Sequence, residues 1–247
     1  MARMAPTPVP QGAPHGADDR PVVLDRREGP HGEVVLRRHG DLLQIIANGC
    51  FLMDTSDGAS ERLLVRAALD ELAGRQPPPA APRLLIGGLG VGFSLAEAAA
   101  DARWAGIEVV ERERAVVDWH RAGPLAAHSA GALDDPRVTL VEADLLARLH
   151  ESPARYDALC LDIDNGPDWT VTEDNDGLYS PAGLAACRAA LREDGVLVVW
   201  SAQDSPTFPD RLRMAGFDRV RTEEVPVARG VPDVLFLASH QSASRSA

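Results

Sequence analysis

RLLIGGLGVGFSLAEAAADARWAGIEVVE, residues Arg83 to Glu111, reads as a strand, a glycine-rich turn, a helix and a second strand that ends on an acid. Arg83 to Ile86 is a short apolar run closed by Pro82 before it and Gly87 after it, as expected of a buried parallel strand. Gly87 leads into a G-x-G-x-G turn made by Gly88, Gly90 and Gly92. Without Cβ atoms such a turn reaches unusual dihedrals and lets a ligand approach the backbone. Phe93 to Ala102 is Ala-rich, so a helix starts there with its free N–H groups aimed at the turn. Glu111 follows about 20 residues further on, where an acid can hold both hydroxyls of a ribose. The stretch therefore predicts a nucleoside-binding βαβ unit.

A glycine turn alone also suits a strand–helix corner that needs glycine only for close packing. The flanking strand, the helix and the closing acid favour the ligand reading. A dinucleotide-binding turn wants a third glycine three positions after the second, but position 93 is Phe. A G-x-G-x-G turn with a ribose acid looks instead like a class I S-adenosylmethionine (SAM) site, whose ligand has no pyrophosphate.

The chain has 247 residues and a formal charge of −12, from 37 acids against 25 bases. That length suits one α/β domain with a small appendage. The acidity argues against a nucleic-acid partner. No Lys occurs, which excludes Lys Schiff-base chemistry and the P-loop lysine. Cys50, Cys160 and Cys187 are too few and scattered for a disulfide framework or a zinc cage, so no metal site is expected and a reducing cytoplasm is the simplest setting. No apolar stretch approaches the ~20 residues of a membrane helix, and the N-terminus lacks a signal-peptide core.

Met1 to about Arg20 is rich in Pro, Gly and Ala and reads as a disordered tail. Residues 21–54 hold four short alternating strands with turn signals at His39-Gly40-Asp41 and Asn48-Gly49, a small antiparallel hairpin module. Residues 58–74 have helical spacing, and a Pro-rich linker to residue 82 closes this N-terminal unit. The main domain, 83–239, continues with a helix at Arg114–Arg121 and strands at Arg137–Glu142, Tyr156–Asp162 and Gly195–Trp200. A helix begins at Pro181 with Ser180 as its N-cap, and another spans Ser205 to Ala215. Two closing strands follow, the last pair antiparallel, before a frayed tail at 240–247. The fold class is α/β: a Rossmann-like, class I methyltransferase type of mostly parallel sheet with an antiparallel last strand, preceded by the hairpin module.

Asp162 stands at the C-terminal end of its strand, where ligands sit in an open parallel sheet. It is the candidate catalytic acid, with a turn-capping Asp as the plain alternative. The acid-rich loop after it, with Asp164, Asp168, Glu173, Asp174 and Asp176, suits either an anionic lid for an amine or a solvated loop. Trp169 would stack on a ligand or pack beneath that loop. Trp119 and Trp200 read as core or helix-face residues, and His120, His128 and His150 as surface or capping residues without metal spacing. The G-x-S-x-G and H-E-x-x-H motifs are absent, so hydrolase readings gain nothing.

From the hairpins through the fifth main-domain strand the chain resembles the spermidine synthase family of aminopropyltransferases. LLIGGLGVG, IEVVERERAVVDWHR, DDPRVTLVEADLLARL, YDALCLDIDNGP and LYSPAGLAACRAALREDGVLVVW carry the likeness. The resemblance implies SAM or decarboxylated SAM as donor and a small-molecule amine as acceptor. It also implies a homodimer, ribose binding by Glu111, an adenine contact by Asp144, catalysis by Asp162, and Tyr179 at the edge of the acceptor site; Asp164 and Trp169 of the acid-rich loop are the other substrate-binding candidates. The sequence departs from the family at three places. Gly90 stands where an acid holds the donor's amine, Ser60 and Glu61 where a Tyr-His pair lines the amine site, and Asn165-Gly166 follows Asp164 where a Pro is usual. A small-molecule methyltransferase of the same fold is the alternative, and a nucleoside-binding protein without turnover is a second.

Overall fold

The computed structural model describes residues 20–171, 173–227 and 230–240. The terminal tails up to residue 19 and from residue 241, read above as disordered, lie outside them. Strands β1 (Val22–Gly29), β2 (Gly32–His39), β3 (Leu42–Ala47) and β4 (Cys50–Asp54) form an antiparallel sheet in chain order. Asn48 and Gly49 both have positive φ, 50° and 79°, the hairpin geometry that an Asn-Gly pair favours.

The second sheet contains β5 (Arg83–Gly87), β6 (Gly106–Glu111), β7 (Val138–Glu142), β8 (Tyr156–Leu161), β9 (Leu191–Ser201), β10 (Arg219–Val225) and β11 (Asp233–Ser239). Its spatial order is β10-β11-β9-β8-β5-β6-β7. Strands β7, β6, β5, β8 and β9 run parallel, and β11 lies antiparallel between β9 and β10. The chain builds outward from β5 through β6 to β7, then returns to place β8 on the other side of β5. The crevice beyond the carboxyl ends of β5 and β8 is thus the switch point at which open α/β sheets bind ligands.

Helices cover both faces: α1 (Ala59–Ala73), α2 (Phe93–Ala100) and α3 (Arg114–Arg121) on one, α4 (Leu145–His150), α5 (Pro181–Ala190) and α6 (Phe208–Met214) on the other. Alternate residues of each strand serve the two cores. Leu84, Ile86, Val109, Cys160 and Val198 point to the first, and Leu85, Val110, Leu159, Leu161 and Val199 to the second. Burial on both faces explains the continuous apolar runs of these strands. The α5 cap is as expected, with Ser180 Oγ accepting from Gly183 N at 3.1 Å.

Two placements differ from the sequence expectation. Helix α1 packs on the large sheet with Leu64, Val65, Ala68, Leu69 and Leu72 buried, rather than completing the hairpin unit. Its spacing signals a buried face but not which sheet receives it. Helix α4 was not anticipated, because a helix of six residues with only Leu145 and Leu149 buried has almost no periodic signal.

The hairpin sheet shares the first core through Val34, Leu36, Leu43 and Ile45. Its outer strand is tied to α3, where Trp119 Nε1 donates to Asp25 at 2.8 Å and Arg27 pairs with Asp118 at 2.7 Å. Because that core is continuous, the protein is expected to unfold as one unit. Leu36 is fully buried. Leu36→Ala should lower the stability of a single transition by about 2–5 kcal/mol, the usual cost of such a cavity. Chemical denaturation followed at tryptophan and by circular dichroism checks this; a separate early transition for the hairpin sheet would contradict it.

Candidate active site

The glycine turn is held from three sides. Gly88 has φ +91°, and a Cβ there would lie 2.3 Å from the Asp162 carbonyl oxygen. Asp162 N in turn donates to Gly87 O at 2.9 Å, and Gly88 N donates to Val110 O at 2.9 Å. The turn, the end of β6 and the start of the loop after β8 are therefore fixed against one another. Gly90 has φ +49°, and a Cβ there would meet Met53 Sδ of β4 at 2.3 Å. The hairpin sheet thus brings a thioether to the turn at the place where a side chain on residue 90 would sit.

His120 is buried beneath the same turn, its Nε2 2.9 Å from Gly90 O. Burial lowers its pKa, so the ring is neutral, and Nε2 carries the hydrogen because a carbonyl can only accept. The sequence pattern suggests a surface or capping histidine, and the ring is instead buried. Position 120 follows the buried Trp119 on a helix whose apolar face is short, so the pattern gave no sign that its ring turns inward.

These elements enclose a cavity of about 900 Å³. Gly88, Gly90, Glu111, Asp144, Asp162, Asp164 and Trp169 all reach its wall, whereas Gly87 and Gly92 stand behind it. Gly87 packs against Leu145, and Gly92 leaves room for His120. Carboxylates on the wall greatly outnumber its basic residues, which among the described residues are His31 and Arg112.

Glu111 is nearly buried. Its Oε2 accepts from Leu89 N at 2.9 Å and its Oε1 from Glu113 N at 2.8 Å. Burial raises its pKa, and the two backbone donors oppose that shift. Each oxygen keeps a lone pair that can accept a ribose hydroxyl. Asp144 is the N-cap of α4, accepting from Ala147 N at 2.8 Å, and stands at the cavity rim with its other oxygen unused by the cap.

Asp162 is pushed well above the usual carboxylate range, first by burial and then by the charges of Glu61 and Asp233, while a hydrogen bond from Ser94 opposes the shift. Glu61 and Asp233 are themselves raised, chiefly by burial. Asp233, at the start of β11, and Ser60 and Glu61, in the first turn of α1, complete this side of the cavity. Trp200 also reaches the wall, rather than being only core, and its Nε1 donates to Ser60 Oγ at 3.0 Å and to Asp233 Oδ2 at 3.3 Å.

Three acids of the acid-rich loop are engaged within the loop or against the segment 205–211. Asp164, at φ +61°, accepts from Val171 N at 2.8 Å and Asn175 Nδ2 at 2.6 Å. Asp168 bonds to Ser205 and Arg211, and Asp176 to Thr170. The side chains of Glu173 and Asp174 lie outside the described ones. Trp169 stands half exposed at the rim. Tyr179 is buried behind the loop, not on the cavity wall, donating from its hydroxyl to Ile163 O at 3.0 Å and packing edge-on to Phe208. It holds the segment after Asp162 in place.

The sheet order and the switch-point cavity define a class I methyltransferase-like α/β fold. No family model matches the chain. Among characterised proteins it is 36% identical over 121 residues to polyamine aminopropyltransferase 1 of Pseudomonas aeruginosa, covering 48% of this chain and 40% of that protein. It is 33% identical over 138 residues to the polyamine aminopropyltransferase of Klebsiella pneumoniae, covering 55% and 44%. Among solved structures, a spermidine synthase in complex with the transition state analogue AdoDATO superposes with a TM-score of 0.73 at 20% identity, covering 88% of this chain and 73% of the other. The spermidine synthase from Thermotoga maritima gives 0.70 at 19%, covering 88% and 72%. The chain is thus similar to polyamine aminopropyltransferases in sequence and to spermidine synthases in fold, and its alignments span about two fifths of the length of these curated relatives.

The crowding of Asp162 has a consequence for stability. A carboxyl whose folded pKa is raised opposes folding once pH exceeds its unfolded value near 4, and the opposition grows until pH passes the folded value. Asp162→Asn removes that term. The variant should melt about 2–4 °C above the wild type at pH 8, the shift that roughly 1 kcal/mol makes in a domain of this size. The two should converge below about pH 3, where Asp162 is protonated in both states. Parallel melting curves across that range would show that Asp162 is not strained by its neighbours.

Proposed function

We propose that the protein is an aminopropyltransferase-like enzyme that binds SAM or decarboxylated SAM and transfers a group from its sulfonium to a small amine. The observation that carries this reading is the position of Asp162. Its backbone is bonded to the glycine turn, and its carboxyl faces a cavity whose charged residues are mostly acids. In the reaction, the acceptor nitrogen attacks the carbon bound to the sulfonium. The C–S electron pair passes to sulfur, leaving a neutral thioether, and the amine proton passes to Asp162. Glu111 holds the ribose, and Asp144 at the rim serves the adenine. A raised proton affinity suits Asp162 to accept that proton near neutral pH. No metal has a role in this chemistry. The names of the relatives support the same reaction class.

Methyl transfer from SAM is the second reading, and one observation favours it. Met53 fills the space beside Gly90, so that end of the cavity offers a thioether in place of an acid for an aminopropyl amine. We further propose a cytoplasmic homodimer in which the exposed side chains of Val22, Val23, Leu24 and Phe51 are covered by the second subunit.

Incubation with each donor and a panel of primary amines, followed by mass spectrometry, tests the assignment. Aminopropyl addition from decarboxylated SAM supports the first reading, and methyl addition from SAM the second. Asp162→Asn should slow whichever transfer occurs by about 10²- to 10⁴-fold with adenosyl-ligand affinity little changed. No transfer from either donor, or a variant as fast as the wild type, would overturn the proposed chemistry.

A further inference from the structure

Asp233 belongs to the last strand, far in sequence from the glycine turn and Asp162. It nevertheless reaches the same cavity. Its Oδ2 accepts from Ser60 Oγ at 2.6 Å and from Trp200 Nε1 at 3.3 Å. All the hydrogen bonds it accepts among the described residues end on that one oxygen. Ser60 Oγ also lies 3.0 Å from Glu61 Oε2. A hydroxyl has one hydrogen, so Ser60 satisfies either Asp233 or Glu61 at any instant, never both. Among the described residues, neither these two carboxylates nor Asp162 forms an ion pair. Asn165, 4% exposed, reaches the same wall with its amide Nδ2 buried and unpartnered.

The carboxylates at this end of the cavity lack a paired positive charge among the described residues, and apart from Ser60, Ser94, Trp200 and the unused Asn165 Nδ2 they lack side-chain hydrogen-bond donors. A primary ammonium brings three donors, one positive charge and no acceptor, and so remedies both shortages. The loop after β8 does not compete for it, since Asp164, Asp168 and Asp176 are engaged within the loop or against α6. The indole and hydroxyl donors fix Asp233 before any ligand arrives, with Oδ1 left over. The buried side chains beneath it belong to the rigid sheet, as a binding group requires.

We propose that Asp233, with Glu61, anchors the ammonium group of the acceptor and sets the enzyme's selectivity for cationic amines, leaving Asp162 to receive the proton. The proposal rests on the amine-transfer reading above. It assigns acceptor recognition to the junction of β11, β9 and α1, where the sequence pattern showed only a closing strand.

The test is amine binding to protein saturated with methylthioadenosine, measured by calorimetry with putrescine and 1,3-diaminopropane, together with steady-state kinetics for whichever amine is used. Asp233→Asn keeps the shape and the bonds from Ser60 and Trp200 but removes the charge. It should weaken amine binding and raise KM for the amine by about 10- to 100-fold, the loss expected for a charge-assisted hydrogen bond, with kcat reduced much less. Nucleoside affinity should stay within about twofold of wild type, and Asp233→Glu should recover part of the loss. Glu61→Gln, on a different element, should shift amine binding in the same direction.

If the wild type transfers to amines and Asp233→Asn binds them normally, this proposal fails and the reading of the reaction stands. If the wild type binds the nucleoside but neither binds nor modifies an amine, both fail. Should Asp233→Asn also lose the nucleoside, Glu61→Gln decides: normal amine affinity in that variant overturns the anchor.

Discussion

The contact between Gly88 and the Asp162 carbonyl is the constraint on which the site depends. Two neighbouring parallel strands end there, one running into the glycine turn and the other into the acid, with no room for a Cβ between them. Any side chain at position 88 would force the turn away from β8 and separate the nucleoside edge from the acid. The backbone bond from Asp162 N to Gly87 O closes the same junction. The groups proposed for nucleoside binding and proton transfer are thus placed by main-chain geometry. The surrounding side chains tune the result: His120 supports the turn from below, Tyr179 holds the loop from behind, and Met53 fills the space at Gly90.

Onto this frame the chain brings carboxylates from three distant segments. Glu61 comes from the helix after the hairpins, Asp162 from the centre of the sheet and Asp233 from its last strand. Burial raises the proton affinity of each, and repulsion adds to it: from Glu61 and Asp233 at Asp162, from Asp233 at Glu61, and from Asp57 at Asp233. Such an arrangement opposes folding when empty and relaxes when a cation enters, which couples ligand charge to stability. Glu108 shows the contrasting arrangement: also buried, it is matched by Arg148, Arg155 and Tyr156, and its pKa is lowered. Glu61, Asp162 and Asp233 form no ion pair with an arginine among the described residues, and this difference separates a structural acid from candidate functional ones.

Much of this was legible in the sequence where the signal is local. The run from Arg83 to Glu111, the Asn48-Gly49 hairpin and the Ser180 cap are each set by neighbouring residues, and each forms as read. Asp162 stands out in the sequence because ligands of open α/β sheets lie at the carboxyl ends of parallel strands. What escaped depends on distant pairing. Asp233 meets Ser60 across 173 positions, and nothing near either residue announces the other. Tyr179 and His120 carry polar atoms that periodicity cannot aim, and Asp164 looks like a substrate ligand until its bonds within the loop are seen. Helix α1 was recognised as a helix, but the sheet it covers is a tertiary fact.

The central claim is that the crevice beyond β5, β6 and β8 is an adenosyl site built on Glu111. Calorimetric titration of methylthioadenosine into the wild type and Glu111→Ala tests it most directly, because this thioether needs neither acceptor nor turnover. The account predicts one site in the wild type and a loss of at least about tenfold in affinity in the variant, since two charge-assisted hydrogen bonds to the ribose disappear. Equal affinity in the two proteins, or no binding by a folded wild type, would contradict it.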